Sequence, residues 1–201
     1  PARCDRDDFL FFMFFGPGSS PDTALASIVK RAYRDLNRTL HGVTAYSNAG
    51  EEARSFLCSA LSQLIRDRRL TDQTAFDLRH QAVCERLIAI YSEAGYKTFH
   101  VGQAQKWLNM ALKYALVCGE GRLPERHDLF ALAHVPIDSY TLGSDEFKGL
   151  AHFGQPWSRI DDYDKYLDFQ KKVRKKFEGS APLAVEFVVW KRMAENVPRS
   201  A

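Results

Sequence analysis

One segment, FHVGQAQKWLNMALKYALVCG at residues 99–119, constrains the fold more than any other part of this 201-residue chain. At about 100° per residue, its apolar side chains cover about half of a helical circumference or more. Such an arc is wider than the apolar stripe expected of a surface helix. The segment therefore predicts a helix that is almost completely enclosed, with a narrow polar strip that holds Lys106, Asn109 and Lys113.

Apolar residues recur at helical spacing along most of the remaining chain. A different pattern occurs at residues 9–15, FLFFMFF, where the short apolar run favours a buried strand or an extended segment. We therefore expect a mostly α fold, a compact bundle of about seven helices with one short N-terminal strand or extended segment. Residues 1–201 should form a single domain, or two lobes that meet near residues 95–140. The predicted helices lie at residues 21–42, 48–65, 71–95, 99–119, 124–133, 158–177 and 182–197, and the Val-rich middle of the last one could instead be a strand.

Composition favours an ordinary globular protein that stays in the cytoplasm. The chain is 45% hydrophobic and 26% charged, and its net charge of +3 permits nucleic-acid binding without requiring it. No apolar run reaches the length of a membrane span, so we expect no membrane partner. The four cysteines, Cys4, Cys58, Cys84 and Cys118, form no C-x-x-C pair, which predicts reduced, buried thiols.

Lys106 and Lys113 have two interpretations. They could form a solvated edge whose aliphatic stems lie along apolar neighbours. Alternatively, enclosure could activate one amine as a nucleophile, because desolvation disfavours the charged form of a lysine.

A second unusual segment, HVPIDSY at residues 134–140, interrupts the helical rhythm. Asp138 lies there between the apolar Ile137 and Tyr140. It could cap the following turn, as Asp followed by Ser often does, or present a carboxylate toward the core.

Taken together, these two segments resemble the helix-hairpin-helix DNA glycosylase superfamily. In that superfamily a hairpin with a Val-Gly turn leads into a helix with the catalytic lysine, and a Pro-Val-Asp-[Ser/Thr]-like segment carries the catalytic aspartate. The counterparts here are Val101-Gly102, Lys106 and Pro136-Ile137-Asp138-Ser139. Lys106 and Asp138 are 32 residues apart, a separation similar to that of the archaeal 8-oxoguanine DNA glycosylases.

The resemblance implies a DNA-repair glycosylase or lyase that acts on double-stranded DNA without a cofactor. Lys106 would attack the sugar of a damaged nucleotide extruded from the duplex, and Asp138 would accept its proton. His100, Gly102 and Gln103, at the hairpin and the helix start, would contact DNA phosphate. Trp157 or Trp107 would stack on the extruded base, although the helical wheel favours a core position for Trp107.

The other motifs in the chain are weaker indications of function. His80 and Cys84 lie four residues apart, but no third residue has metal-ligand spacing, so we expect no metal site. The basic clusters at residues 66–70 and 171–177 could be solvated helix ends or contacts to phosphate. The alternative to an enzyme is a non-catalytic α-helical module that binds protein partners. The distance between the Lys106 amine and the Asp138 carboxylate is the observation that best separates these hypotheses.

Overall fold

The computed structural model of the protein describes residues 3–18, 20–118 and 122–195. Its described residues are helical throughout the core, with 71% helix and no strand. They form nine α-helices, of which seven have at least seven residues, and this confirms the predicted mostly α fold. The helices are α1 (Arg3–Phe15), α2 (Pro21–Arg34), α3 (Ser47–Arg66), α4 (Gln73–Glu93), α5 (Val101–Cys118), α6 (His127–Leu132), α7 (Ser139–Gly143), α8 (Tyr163–Lys176) and α9 (Pro182–Glu195).

Local sequence signals explain where several of these helices begin. Ser20 caps α2 in a capping box with Thr23, and Pro21 occupies the first helical position. Asp72 caps α4 by accepting a hydrogen bond from the Ala75 N–H. The predicted start of α8 at residue 158 is wrong, because Asp162 is the residue that caps this helix.

The N-terminal apolar run is a helix, so the prediction of a strand or extended segment is wrong. In α1 Phe11 is buried and Phe15 is half-buried, four residues apart on the face toward the core. The remaining large apolar residues of the run, from Phe9 to Phe14, are 45–65% exposed. A short apolar run cannot by itself distinguish a strand from a helix, and no described strand is available as a partner.

Helix α5 runs through the centre of the protein, as its wide apolar arc predicts. Every residue from Val101 to Leu112 is buried. The helix contacts α2, α3, α4 and α8, and its N-terminal end also contacts a 3₁₀ turn at Trp157–Arg159. Trp107 is fully buried and donates its indole N–H to the Val29 carbonyl at 3.0 Å. The side chains of this helix are therefore available to a site only where a cleft reaches it.

The start of α5 is packed directly against the backbone of the 3₁₀ turn. The Gly102 N–H donates to the Ile160 carbonyl at 2.8 Å. A Cβ atom at position 102 would lie only 1.8 Å from the Trp157 carbonyl oxygen. This close approach of two backbones requires glycine.

No helix in the described ranges is long and apolar enough to cross a membrane.

Candidate functional site

Lys106 of α5 and Asp138 form a buried ion pair. The Lys106 Nζ lies 2.6 Å from the Asp138 Oδ2, and the two side chains are only 4% and 10% exposed. Lys106 belongs to the central helix, whereas Asp138 immediately precedes the short helix α7. The structure thus brings together the two residues that the sequence analysis paired, and the solvated-edge interpretation does not describe Lys106.

Each oxygen of the Asp138 carboxylate has a separate partner. Oδ1 accepts a hydrogen bond from the Thr141 N–H at 2.9 Å and caps α7, whereas Oδ2 accepts from Lys106. Burial would raise the pKa of Asp138, but the Lys106 ammonium and the Thr141 N–H outweigh it and lower the pKa below its usual value. Asp138 is therefore both a helix cap and an ionised partner of the lysine.

Two glutamines hold the extended segment that carries Asp138. Gln170 of α8 accepts from the Val135 N–H and donates to the Val135 carbonyl. Gln105 of α5 does the same for Ile137, at 3.1 and 3.0 Å. Since Gln105 precedes Lys106 directly, one turn of α5 fixes both the lysine and the backbone next to its aspartate.

The ion pair lies in a cleft of about 550 Å³. This volume is within the range of roughly 300–1,000 Å³ that small-molecule sites occupy. Six of the lining residues are aromatic and three are arginines. The lining residues are Phe14, Arg31, Arg34, Asp35, Arg38, Lys106, Met110, Lys113, Tyr114, Val117, Cys118, Asp138, Tyr140, Trp157, Phe187 and Trp190.

Lys113, two turns along α5, has its own acidic partner in the same cleft. Its Nζ donates to both carboxylate oxygens of Glu186, at 2.9 and 2.7 Å. It also lies over the rings of Phe187 and Trp190, 5.0 and 5.4 Å from their centroids. Burial raises the pKa of Glu186, and the nearby Lys113 opposes that rise. The sequence analysis missed Glu186, which lies on α9 among apolar residues.

The predicted base-stacking and DNA-contact residues occupy different environments. Trp157 is half-buried and lines the cleft together with Lys106 and Asp138. His100 is half-buried at the start of α5. Gly102 and Gln103, however, are buried: the Gly102 N–H already donates to Ile160, and the Gln103 side chain bonds the His100 N–H and the Thr39 carbonyl. Neither residue presents a free donor for a phosphate.

A buried polar network, not predicted from the sequence, lies beside the ion pair and includes Asn109 and Gln105 of α5. The His80 Nε2–H donates to the Asn109 Oδ1 at 2.9 Å, and Asn109 in turn donates to Gln105 and to the Tyr166 hydroxyl. The hydroxyl of Tyr166 lies 2.8 Å from the His134 Nδ1. The network connects α4 and α8 to the same Gln105 that holds the Asp138 segment.

The acidic end of this network is an ion-pair cluster around Asp77. His134 Nε2 lies 2.8 Å from the Asp77 Oδ1, and an Arg174 guanidinium nitrogen lies 3.1 Å from Oδ2. The hydrogen bond from His134, the charge of Arg174 and a bond from Gln73 outweigh burial and lower the pKa of Asp77. Arg174 belongs to the basic cluster at residues 171–177, so part of that cluster has a structural role.

Acidification below pH 7 should destabilise the protein through the two buried histidines. Burial lowers the pKa of both His80 and His134, and the charges of Asp77 and Arg174 and the hydroxyls of Tyr163 and Tyr166 surround them. A histidine in the unfolded chain titrates near pH 6.5, so the unfolded state binds more protons as the pH falls through that value. The free energy of unfolding should decrease by at most about 1.4 kcal/mol per pH unit for each histidine.

Urea unfolding between pH 5.5 and 7.5 measures this slope, with His80→Gln as the comparison. The variant should be less stable at pH 7.5 but should show a shallower dependence on pH. An identical slope in the two proteins would contradict the assignment of His80 as a neutral buried group.

Among the described residues, no group of three or more histidine, cysteine, aspartate or glutamate side chains could hold a metal ion. The described thiols of Cys58, Cys84 and Cys118 are free, but only Cys84 is buried. The prediction of a buried thiol is therefore wrong for Cys118, which lies exposed at the cleft, whereas the prediction for Cys4 falls outside the described side chains.

Comparison of the chain with protein-family models, curated proteins and solved structures gave no significant match.

Proposed function

We propose that this protein is a DNA-repair glycosylase or lyase that excises a damaged base, with Lys106 as the nucleophile. The observation that carries the proposal is the 2.6 Å contact between the Lys106 Nζ and the Asp138 Oδ2 at the wall of an open cleft. A buried ion pair contributes little net stability, because desolvation of both charges offsets their attraction. A chemical role accounts for placing this pair where a ligand can reach it.

The two residues supply the groups that glycosidic bond cleavage needs. Transfer of one proton from the Lys106 ammonium to the Asp138 carboxylate gives a neutral amine with a free electron pair. The amine forms a bond to the sugar C1′, while the C1′–N bond breaks and its electron pair leaves with the base, which takes up a proton. The proton that the base takes up comes from Asp138, which is then an anion again and stabilises the positive charge on the sugar-bound amine.

The walls of the cleft suit an unstacked nucleobase. Trp157, Tyr140 and Trp190 line the cleft together with Lys106 and Asp138, and aromatic faces stack on bases of any sequence. A base cannot react while it is stacked in the duplex, so the target nucleotide must rotate out into such a pocket. We assign Trp157 as the stacking residue, because its backbone is fixed against Gly102 beside the lysine.

Borohydride trapping on a panel of damaged duplexes tests this function. The panel contains oxidised purines, oxidised pyrimidines, alkylated bases, uracil and a natural abasic site. A glycosylase with a lysine nucleophile forms a Schiff base with the sugar, which borohydride reduces to a stable protein–DNA adduct. An adduct with at least one lesion and none with undamaged duplex is the expected result. Absence of an adduct on every member of the panel would contradict the proposal.

The alternative function, a non-catalytic module that binds protein partners, is favoured by one observation. Helix α1 exposes five large apolar side chains, Phe9, Leu10, Phe12, Met13 and Phe14. Contiguous exposed apolar surface often marks a protein interface. A negative trapping result, together with loss of protein binding when these side chains are replaced by serine, would favour this alternative.

A further inference from the structure

A basic groove adjoins the cleft at the N-terminal end of α5. Its volume is about 610 Å³, and the arginine and histidine side chains that line it are Arg38, His41, His100 and Arg159. None of the described residues that line it is an aspartate or a glutamate. The groove therefore presents positive charge and hydrogen-bond donors without an internal counterion.

The groove and the cleft are adjacent. Arg38 lines both of them. The Trp157–Arg159 turn also contributes to both, since Trp157 lines the cleft and Arg159 lines the groove. A ligand that placed one group beside Lys106 could extend directly into the groove.

The two groove arginines have no partner among the described residues. Both are exposed, and within the described ranges neither Arg38 nor Arg159 forms an ion pair or a side-chain hydrogen bond. Unpaired, solvated guanidinium groups next to each other repel and contribute nothing to stability. They are, however, suited to bidentate contacts with phosphate oxygens.

A second arginine cluster, between α3 and α4, differs in this respect. It lines a cavity of about 550 Å³ that shares no lining residue with the cleft. There Arg69 pairs with Asp67 at 3.3 Å, and Arg68 donates to the Glu125 carbonyl at 3.0 Å. The groove and this cluster both carry arginine charge. They differ because Arg68 and Arg69 have protein partners, whereas Arg38 and Arg159 have none among the described residues.

We propose that the groove of Arg38, His41, His100 and Arg159 binds the phosphodiester backbone of the DNA strand next to the extruded nucleotide. This inference rests on the proposed glycosylase function, and it assigns phosphate binding to side chains rather than to the buried Gly102 amide. It also identifies the substrate as a polymer, because a free nucleoside has no phosphates to fill the groove.

Salt-dependent binding to a labelled duplex that contains a tetrahydrofuran abasic-site analogue tests the groove. For Arg38→Ala/Arg159→Ala, the slope of log Kd against log salt concentration should decrease by about 1.8, because each lost phosphate contact removes about 0.9. The Kd near physiological salt should rise at least about tenfold. Arg38→Lys/Arg159→Lys should retain most of the slope, since it preserves the charges.

Arg68→Ala/Arg69→Ala is the matched control, because it removes the same charge from two arginines that already have protein partners. An equal loss of slope in this control would indicate that the protein binds DNA by net charge alone, and it would overturn the proposed groove. A wild-type slope in the Arg38→Ala/Arg159→Ala protein would also overturn the groove. The groove and the chemistry can fail separately. Groove-dependent binding without a borohydride adduct would support the groove and contradict the glycosylase, whereas an adduct with groove-independent binding would do the reverse. A wild-type protein that binds no DNA would overturn both.

Discussion

Replacing Lys106 with arginine should abolish the borohydride-trapped adduct and slow base excision at least about 1,000-fold. Arginine keeps a positive charge opposite Asp138, so the buried carboxylate retains a partner and the fold is preserved. Its guanidinium stays protonated, however, and cannot act as a nucleophile. Single-turnover excision and trapping on the best lesion of the panel measure both effects. Lys106→Ala should give the same chemical result at a larger cost in stability.

Lys113→Arg is the matched control for this prediction. Lys113 lies on the same helix, lines the same cleft and has a buried carboxylate partner, Glu186. Arginine there preserves the charge, so the variant should still form the adduct. If Lys113→Arg lost the adduct and Lys106→Arg retained it, Lys113 would be the nucleophile and the pairing with Asp138 would have only a structural role.

Gly102→Ala should lower the free energy of unfolding by about 3 kcal/mol or more. The added Cβ would lie 1.8 Å from the Trp157 carbonyl oxygen and 2.9 Å from its carbon, both backbone atoms that no side-chain rotation can move. Relief of this clash requires the Trp157–Arg159 turn to shift away from α5, with loss of the hydrogen bond from Gly102 to Ile160. Chemical denaturation followed by circular dichroism measures the difference.

Gly50→Ala provides the comparison at another buried helical glycine. In α3 the nearest atom to an added Cβ is a guanidinium nitrogen of Arg54 at 3.5 Å, which is ordinary contact. Alanine there should be neutral or should stabilise the protein by up to about 1 kcal/mol, because it restricts the unfolded chain. Similar effects at positions 50 and 102 would contradict the tight packing of the turn on α5.

The central helix illustrates what the sequence could predict. The wide apolar arc of residues 99–119 required enclosure, and the structure buries this helix as expected. Polar residues within that arc were harder to interpret, because their partners come from distant elements. Asn109 bonds His80 of α4 and Tyr166 of α8, and neither contact follows from the spacing along α5.

The candidate site shows the same limit. The sequence suggested that Lys106 and Asp138 act together, but only the fold could place them 2.6 Å apart. It could not reveal that Gln105 and Gln170 hold the backbone on which Asp138 depends, since a buried glutamine has no sequence signature. The proximity of Lys106 and Asp138 is a property of the structure, whereas the catalytic roles of these two residues stay predictions.

The N-terminal run was misinterpreted, and at Gly102 the structure shows a packing role that the sequence did not predict. The seven residues of FLFFMFF were read as buried, whereas α1 buries one face and exposes the other. Gly102 was read as a phosphate ligand, whereas its missing side chain accommodates the Trp157–Arg159 turn. In both cases a local pattern was compatible with two structures, and tertiary packing selected between them.

The most direct test of the central claim is to identify the residue that bonds to DNA. The wild-type protein is trapped with borohydride on a lesion-containing duplex, the adduct is digested with protease and nuclease, and the modified peptide is sequenced by mass spectrometry. We expect a sugar-derived mass on Lys106. Modification of Lys113 or of another amine, or no adduct on any lesion of the panel, would contradict it.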